Sequence, residues 1–421
     1  MKTFTLLFFI GLLLCAAGCD SDKSKKSENK IVIGNIDSLH SKILGETRKI
    51  WVYVPDSNKI FTRQRFPVVY LLDGDGHFYS VMGIIQQLSE VNGNMILPQM
   101  ILIGITNTDR TRDLTPSHVA ADGEIDTAFL KTSGGGEKFT SFLEEELIPY
   151  VDSLYPTTPY RTLIGHSFGG LMVINSLINH TKLFNSYISI DPSMWWDNRR
   201  LLNQSESVLA EKDFTGRSLY LGIANTIDPE LDTSKVKADT TLDTRHIRSI
   251  LELNRTLKEN KKNNLKYGWK YYNNDDHGSV PLITAYDGLR FIFSFYKPEI
   301  SYSRLKDSTY NIDPVIKHYS ETLSDNFGYP SAPPEPFINS LGYEYIRLKQ
   351  YDNAYRIFKM NIEFYPNSSN VYDSFGELLM VKGDTVNAIE NYEKSIKLNP
   401  DNENAKMIIK RMKEKYKGKL Q

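Results

Sequence analysis

The segment RTLIGHSFGG at residues 161–170 sets Ser167 between Gly165 and Gly169 in a G-x-S-x-G pattern. A serine hydroxyl is a poor nucleophile until a base removes its proton. The spacing suits a serine at the apex of a strand–turn–helix unit, where glycines two before and two after it remove Cβ atoms that would collide as strand and helix approach. The flanks agree: Leu163 and Ile164 lead in, residues 171–177 read as a helix, and Gly170 lets that helix pack. The base expected for this serine is His277, in the turn Asp276-His277-Gly278-Ser279 just beyond the last predicted strand, as the chain order serine, acid, histidine requires. His166 adjoins the serine, and the geometry of the turn points it elsewhere.

The acid is expected on the loop after the strand at residues 218–224. Residues 225–232 offer Asp228, Glu230 and Asp232, and Glu230 is favoured, then Asp228. Any carboxylate in reach holds one histidine tautomer and stabilises the imidazolium. A serine–histidine dyad, or a more distant acid such as Asp239, is the alternative. Backbone amides at turns stabilise an oxyanion without reorganisation. Phe168 N–H supplies one, and Asp75 N–H, in the turn after the 68–72 strand, is chosen as the second, with the acidic side chains there pointing away.

The elements that position these groups are those of an α/β protein. Residues 31–33 and 48–55 read as alternating strands, and residues 67–72 and 100–105 as continuously apolar strands buried on both faces. Asp73-Gly74-Asp75-Gly76 is a turn cluster ahead of a helix at 79–88; further helices are expected at 138–154 and 246–257 and strands at 186–190, 218–224 and 267–272. Strands alternating with helices give a mostly parallel sheet, which binds ligands at the carboxyl ends of its strands. The tandem tryptophans Trp195 and Trp196 in DPSMWW follow a strand on that side and either line a substrate pocket or pack the domain. Arg110 and Arg112 on another loop there either hold an anionic substrate or form a mutually paired charge cluster.

At 421 residues the chain exceeds one ordinary domain. Its 50 Lys+Arg against 51 Asp+Glu leave no electrostatic case for nucleic acid. Residues 1–19 read as a secretory signal whose small residues before Cys19 resemble a bacterial lipobox, with Ala16 where leucine is preferred, so Cys19 is the expected lipidation site, with ordinary cleavage and Cys19 as a bystander the alternative. Residues 20–30 read as a flexible tether, and the product is expected as an exported, membrane-anchored lipoprotein on the periplasmic or cell-surface side. Both cysteines fall in this leader, which leaves the mature chain no disulfide and no thiolate metal site. Residues 31–300 form the catalytic domain and 301–334 a linking and packing segment. In 335–421, Gly342 and Gly376, Ala354 and Ala388, Phe358 and Tyr392, and Pro366 and Pro400 are each 34 residues apart. That register resembles the tetratricopeptide repeat, closed by a helix at 404–415, and offers a surface for a protein partner.

The motifs SKILGETRKIWVYVP, YLLDGDGHF, GHSFGG, DPSMWW and DDHGSVPLITAYDGLRFIF, spread over about residues 41–296, together resemble the esterase D type of serine esterases. The resemblance implies an α/β-hydrolase fold, Ser167 as nucleophile, His277 as general base, Asp75 and Phe168 as oxyanion donors, the acid within 225–231 with Glu230 falling best, and no metal or cofactor. DPSMWW and DDHGSVP look most like the siderophore-esterase branch, which makes a catecholate ester the leading substrate. Release of acetyl or feruloyl groups from carbohydrate is the alternative chemistry. A binding lipoprotein that recruits a partner through its repeats is the alternative class.

Overall fold

The computed structural model describes residues 31–55, 64–123, 125–228 and 233–417. Gly34–Gln421 form one compact unit. Cys19 and the segments expected as signal and tether lie outside the described residues.

Eight strands form one sheet: β1 (Asn35–Ser41), β2 (Glu46–Tyr53), β3 (Phe66–Leu71), β4 (Ile101–Ile105), β5 (Thr157–His166), β6 (Ser186–Ile190), β7 (Ser218–Ala224) and β8 (Lys266–Tyr272). Their order is β1-β2-β4-β3-β5-β6-β7-β8. The first two pairings, β1 with β2 and β2 with β4, are antiparallel and every later one is parallel. Strands β3, β4, β6 and β7 are buried along their whole length, as the continuous apolar runs of β3 and β4 require when helices cover both faces.

The first strand differs from expectation. Residues 31–33 carry no regular structure and Ile31 is 95% exposed, whereas the more polar Asn35–Ser41 pairs with β2. An edge strand with one face toward solvent needs few apolar residues, so hydropathy placed it too early.

The helices are α1 (Gly74–Ser89), the short α2 (Arg110–Asp113) and α3 (Thr127–Leu130), then α4 (Gly136–Phe142) running through a widened turn into α5 (Ile148–Leu154), α6 (Phe168–Asn179), α7 (Trp196–Glu211), α8 (Thr233–Ala238), α9 (Arg245–Glu259) and α10 (Val280–Ile292). α1 and α10 pack on each other against one face of the sheet, while α6 packs against β5 and β6 and also touches α7, which contacts α9. The second helix-side core joins Phe139, Phe142, Leu171, Leu202 and Ile250 to Tyr70 and Leu163 of the sheet. α1 begins at Gly74, ahead of the expected 79, because that residue allows closest approach: a Cβ there would lie 2.5 Å from the carbonyl carbon of Gly104 on β4.

The C-terminal region is all helical: α11 (Asp313–Phe327), α12 (Glu335–Arg347), α13 (Tyr351–Phe364), α14 (Ser369–Val381), α15 (Thr385–Leu398) and α16 (Glu403–Lys417). The 34-residue register has a packing basis. Gly342 of α12 lies under the ring of Phe358 of α13, and Gly376 of α14 lies under Tyr392 of α15. At the other end, Phe327 of α11 meets Tyr160 near the start of β5 edge-on at 5.4 Å, and Tyr319 meets Phe337 of α12 at 5.7 Å. The helical region therefore joins the sheet at the end away from Ser167. Among the described residues no helix is long and apolar enough to cross a membrane.

Candidate active site

Ser167 sits between β5 and α6 with φ 59° and ψ −114°, a conformation a non-glycine residue adopts only under constraint. The constraint is the approach of strand and helix. A Cβ on Gly165 would lie 2.4 Å from the Gly169 carbonyl oxygen, and one on Gly170 2.9 Å from the Ile190 oxygen. Ser167 N–H donates to Ile190 O at 3.0 Å, and Leu171 N–H donates to Ser167 O at 2.9 Å. Its Oγ lies 3.2 Å from Ser193 Oγ, and Ser193 N–H also donates to Ser167 O. The buried Ser193 was not singled out from sequence; its place in DPSMWW, after a buried strand, was the available signal.

His277 follows β8 and is partly exposed, its ring 4.4 Å centroid to centroid from His166. Its Nδ1 lies 2.6 Å from Asp191 Oδ2. Asp191 is the residue immediately after β6, fully buried, with φ 41°. This corrects the expected acid. Asp228 is exposed on the loop after β7, Glu230 lies outside the described residues, and the Nδ1 position of His277 belongs to Asp191. The carboxylate reaches across the end of β7. Its Oδ1 accepts the Ala224 N–H at 2.9 Å, while Asp191 N–H donates to Gly222 O at 2.8 Å. A second imidazole, His246 on the first turn of α9, places Nε2 2.8 Å from the same Oδ2. Burial alone pushes the Asp191 carboxyl up, but the bonds from His246, His277 and Ala224 N–H outweigh it and hold it well below the usual carboxylate range. Burial, reinforced by the neighbouring His277 and His77, pushes His166 down to about 4.

On the other side of the serine, the N-termini of α1 and α6 meet, and a Cβ on Gly169 would lie 3.2 Å from Asp73 Oδ2. The first amides of a helix have no acceptor within it, which leaves Phe168 and Asp75 N–H, in the first turns of α6 and α1, without helical partners. The acids there are paired. Asp73 is held by Arg110, with Nε 2.7 Å from Oδ1 and Nη2 3.0 Å from Oδ2, and by Asn107 Nδ2 at 2.8 Å. Asp75 is exposed, 3.4 Å from the same amide. Arg112 joins Glu46 and Asp113, so both arginines of the loop serve ion pairs.

The two tryptophans part company. Trp196 is 2% exposed, donates its Nε1–H to Ser117 O at 3.0 Å and packs edge-on to Phe168 at 5.0 Å. It is core, and the expectation that it binds substrate is corrected. Trp195 is partly exposed, lies 4.2 Å beneath the Arg245 guanidinium and donates Nε1–H to His246 Nδ1 at 3.0 Å. With Phe168 and the exposed Phe129 stacked on it at 6.3 Å, Trp195 forms an aromatic wall beside the serine.

Asp191, His246 and His277 bring their ligating atoms within 4.8 Å of one another, the composition of a metal site. The hydrogen bonds oppose that use. Indole N–H only donates, so His246 Nδ1 is the acceptor and the proton is on Nε2, where a metal would need the lone pair.

Residues 41–273 match the family described as Putative esterase. The chain is 29% identical over 154 residues to a siderophore enterobactin esterase of Emericella nidulans, covering 34% of this chain and 51% of that protein. It is 30% identical over 155 residues to the ferri-bacillibactin esterase BesA of Bacillus subtilis, covering 34% and 52%. The chain thus spans about half the length of these curated relatives. A crystal structure of an IroE-like serine hydrolase from Shewanella oneidensis superposes with a TM-score of 0.67 at 29% identity, covering 79% of this chain and 99% of that one. An uncharacterised protein from Capnocytophaga ochracea, 16% identical, shares the fold over 90% of this chain with a TM-score of 0.57.

Proposed function

We propose that this chain, which belongs to the Putative esterase family, is a serine carboxylic ester hydrolase that works through an acyl-enzyme. The observation that carries the reading is the bond from His277 Nδ1 to the buried Asp191 at the mouth of a strained serine turn. A carboxylate on Nδ1 keeps the proton there and leaves Nε2 free to accept. Ser167 Oγ turns from Ser193 to His277 Nε2, gives up its proton and attacks the ester carbonyl. Phe168 and Asp75 N–H receive the developing negative charge, with the Asp73 carboxylate neutralised by Arg110. His277 returns the proton to the leaving alcohol, and water then releases the acid by the same steps.

For the substrate we propose a catecholate siderophore-type ester. Relatives described as siderophore esterases support it, as does the wall of Trp195, Phe168 and Phe129, whose rings suit an aromatic acyl group. Export, lipidation at Cys19 and a protein partner for α12–α16 complete the proposal on the strength of the sequence.

The full-length chain treated with a fluorophosphonate should gain one adduct by intact mass, lost in Ser167→Ala and His277→Ala. Turnover of a catecholate trilactone beside a feruloylated or acetylated glycan tests the substrate. An unlabelled but folded protein overturns the mechanism; labelling without trilactone turnover overturns the substrate alone.

A further inference from the structure

Four histidines gather at the site in a chain of ring contacts, His77 to His166 at 5.8 Å, His166 to His277 at 4.4 Å and His277 to His246 at 5.1 Å. The mechanism uses only His277, yet His246 shares its carboxylate oxygen. The bond from Trp195 Nε1–H requires an unprotonated Nδ1 on His246, so Nε2 carries hydrogen and donates to Asp191 Oδ2 at 2.8 Å. Trp195 is fixed from its other side by Arg245, which lies over the indole and is itself held by Asp122 through bonds of 2.8 and 2.9 Å. His246 and Arg245 open α9, which is anchored by Ile247, Ile250 and Leu253, all fully buried.

The Asp191 carboxylate is thus gripped by three donors from three elements: Ala224 N–H at the end of β7, His246 at the start of α9 and His277 after β8. Asp191 is 0% exposed, so no water replaces a lost donor. Two donors remain if His246 is removed, and one of them must move a proton during catalysis.

We infer that His246 is a positioning residue for the ester hydrolysis proposed above: locked in one tautomer by Trp195, it pins Asp191 so that Oδ2 stays in line with His277 Nδ1. The inference rests on that mechanism. It also joins Trp195, a residue of the substrate wall, to the catalytic base through three hydrogen bonds, so that the donor atom of Trp195 matters to turnover as well as its ring.

The test uses the full-length chain and His246→Leu, His246→Gln and Trp195→Phe. Leucine removes the donor, whereas glutamine offers an amide N–H at the reach of Nε2. In His246→Leu, kcat should fall by about tenfold to a hundredfold, the scale set by misalignment of a catalytic group. KM should stay within about twofold, as expected when only the transition state is affected. His246→Gln should recover most of kcat, and Trp195→Phe should fall between. Thermal melts of all variants report folding. A His246→Leu enzyme with wild-type kcat, or a folded His246→Gln no better than His246→Leu, overturns the inference. Ring nitrogen NMR of the wild type decides the tautomer without any variant: Nδ1 of His246 should be unprotonated, and a protonated Nδ1 overturns the inference. Failure of the esterase reading is separate, since it appears as wild-type protein that takes no fluorophosphonate.

Discussion

Asp191→Asn is the sharpest perturbation of the site because it changes one atom and no volume. The Oδ2 position receives two N–H donors, from His277 and His246, and Oδ1 receives the Ala224 amide. An asparagine can place its NH2 toward the imidazoles or toward Ala224, and each choice sets donor against donor. Toward Ala224, the clash lies at a buried 2.9 Å contact and costs about 1–3 kcal/mol. Toward the imidazoles, His246 cannot answer, since Trp195 keeps its proton on Nε2. His277 can, by moving its proton from Nδ1 to Nε2, but that nitrogen must accept the serine proton. Loss of the working tautomer costs on the order of 10⁴ in kcat, or about 5 kcal/mol of transition-state stabilisation. The assay is kcat/KM on a chromogenic ester together with the rate of fluorophosphonate labelling, beside Asp228→Asn and Glu230→Gln, which should remain within about twofold of wild type. Retention of more than a tenth of wild-type activity by Asp191→Asn would refute the assignment. So would an equal loss in either of the other two, which would return the acid to the loop after β7.

Three further outcomes follow from the packing and the charges. Gly165→Ala sets a methyl 2.4 Å from the Gly169 oxygen; the elbow must open, at about 1–3 kcal/mol of stability by urea denaturation, and fluorophosphonate labelling should slow with it. In the helical repeat, a Cβ at Gly342 would fall 2.5 Å from the Phe358 ring and one at Gly376 3.2 Å from Tyr392, so Gly342→Ala should lower the melting temperature more than Gly376→Ala; the reverse order would mean that the two repeats do not pack alike. Between pH 6.5 and about 4 the unfolded chain protonates His166 while the native chain leaves it neutral, so the unfolded state binds more protons and stability falls as pH is lowered. His77, also pushed down by burial, acts in the same sense. The slope of unfolding free energy in that window should lose up to about 1.4 kcal/mol per pH unit in His166→Asn, and an unchanged slope would contradict the neutral buried imidazole.

The local rules were legible in the sequence, and their physical basis is close contact along the chain. The glycines around Ser167 are demanded by the approach of β5 to α6, and the unbroken apolar runs of β3 and β4 are demanded by burial on two faces; both are written within ten residues. The repeat was equally plain, since Gly342 with Phe358 and Gly376 with Tyr392 are contacts within one helix pair. The place of His277 beyond the last strand was readable from chain order.

The partner of His277 was not readable. Reading along the chain put the acid after β7, the strand next to β8 in the sheet, whereas the buried carboxylate comes from β6, two strands away, and crosses the end of β7 to reach its histidine. Nothing local marks Asp191 apart from its place after a buried strand, and nothing local joins it to His246, 55 residues on. The same holds for the tryptophans: adjacent residues of one type, of which the packing of Phe168 and Ser117 sends Trp196 into the core and the pairing of His246 and Arg245 holds Trp195 at the surface of the site. By itself the sequence determined the strained serine turn and the histidine beyond the last strand, because strain and strand order act over short spans. Which carboxylate meets His277, and which tryptophan stays partly exposed, was decided only when the sheet closed, because those choices depend on which strand ends are brought side by side.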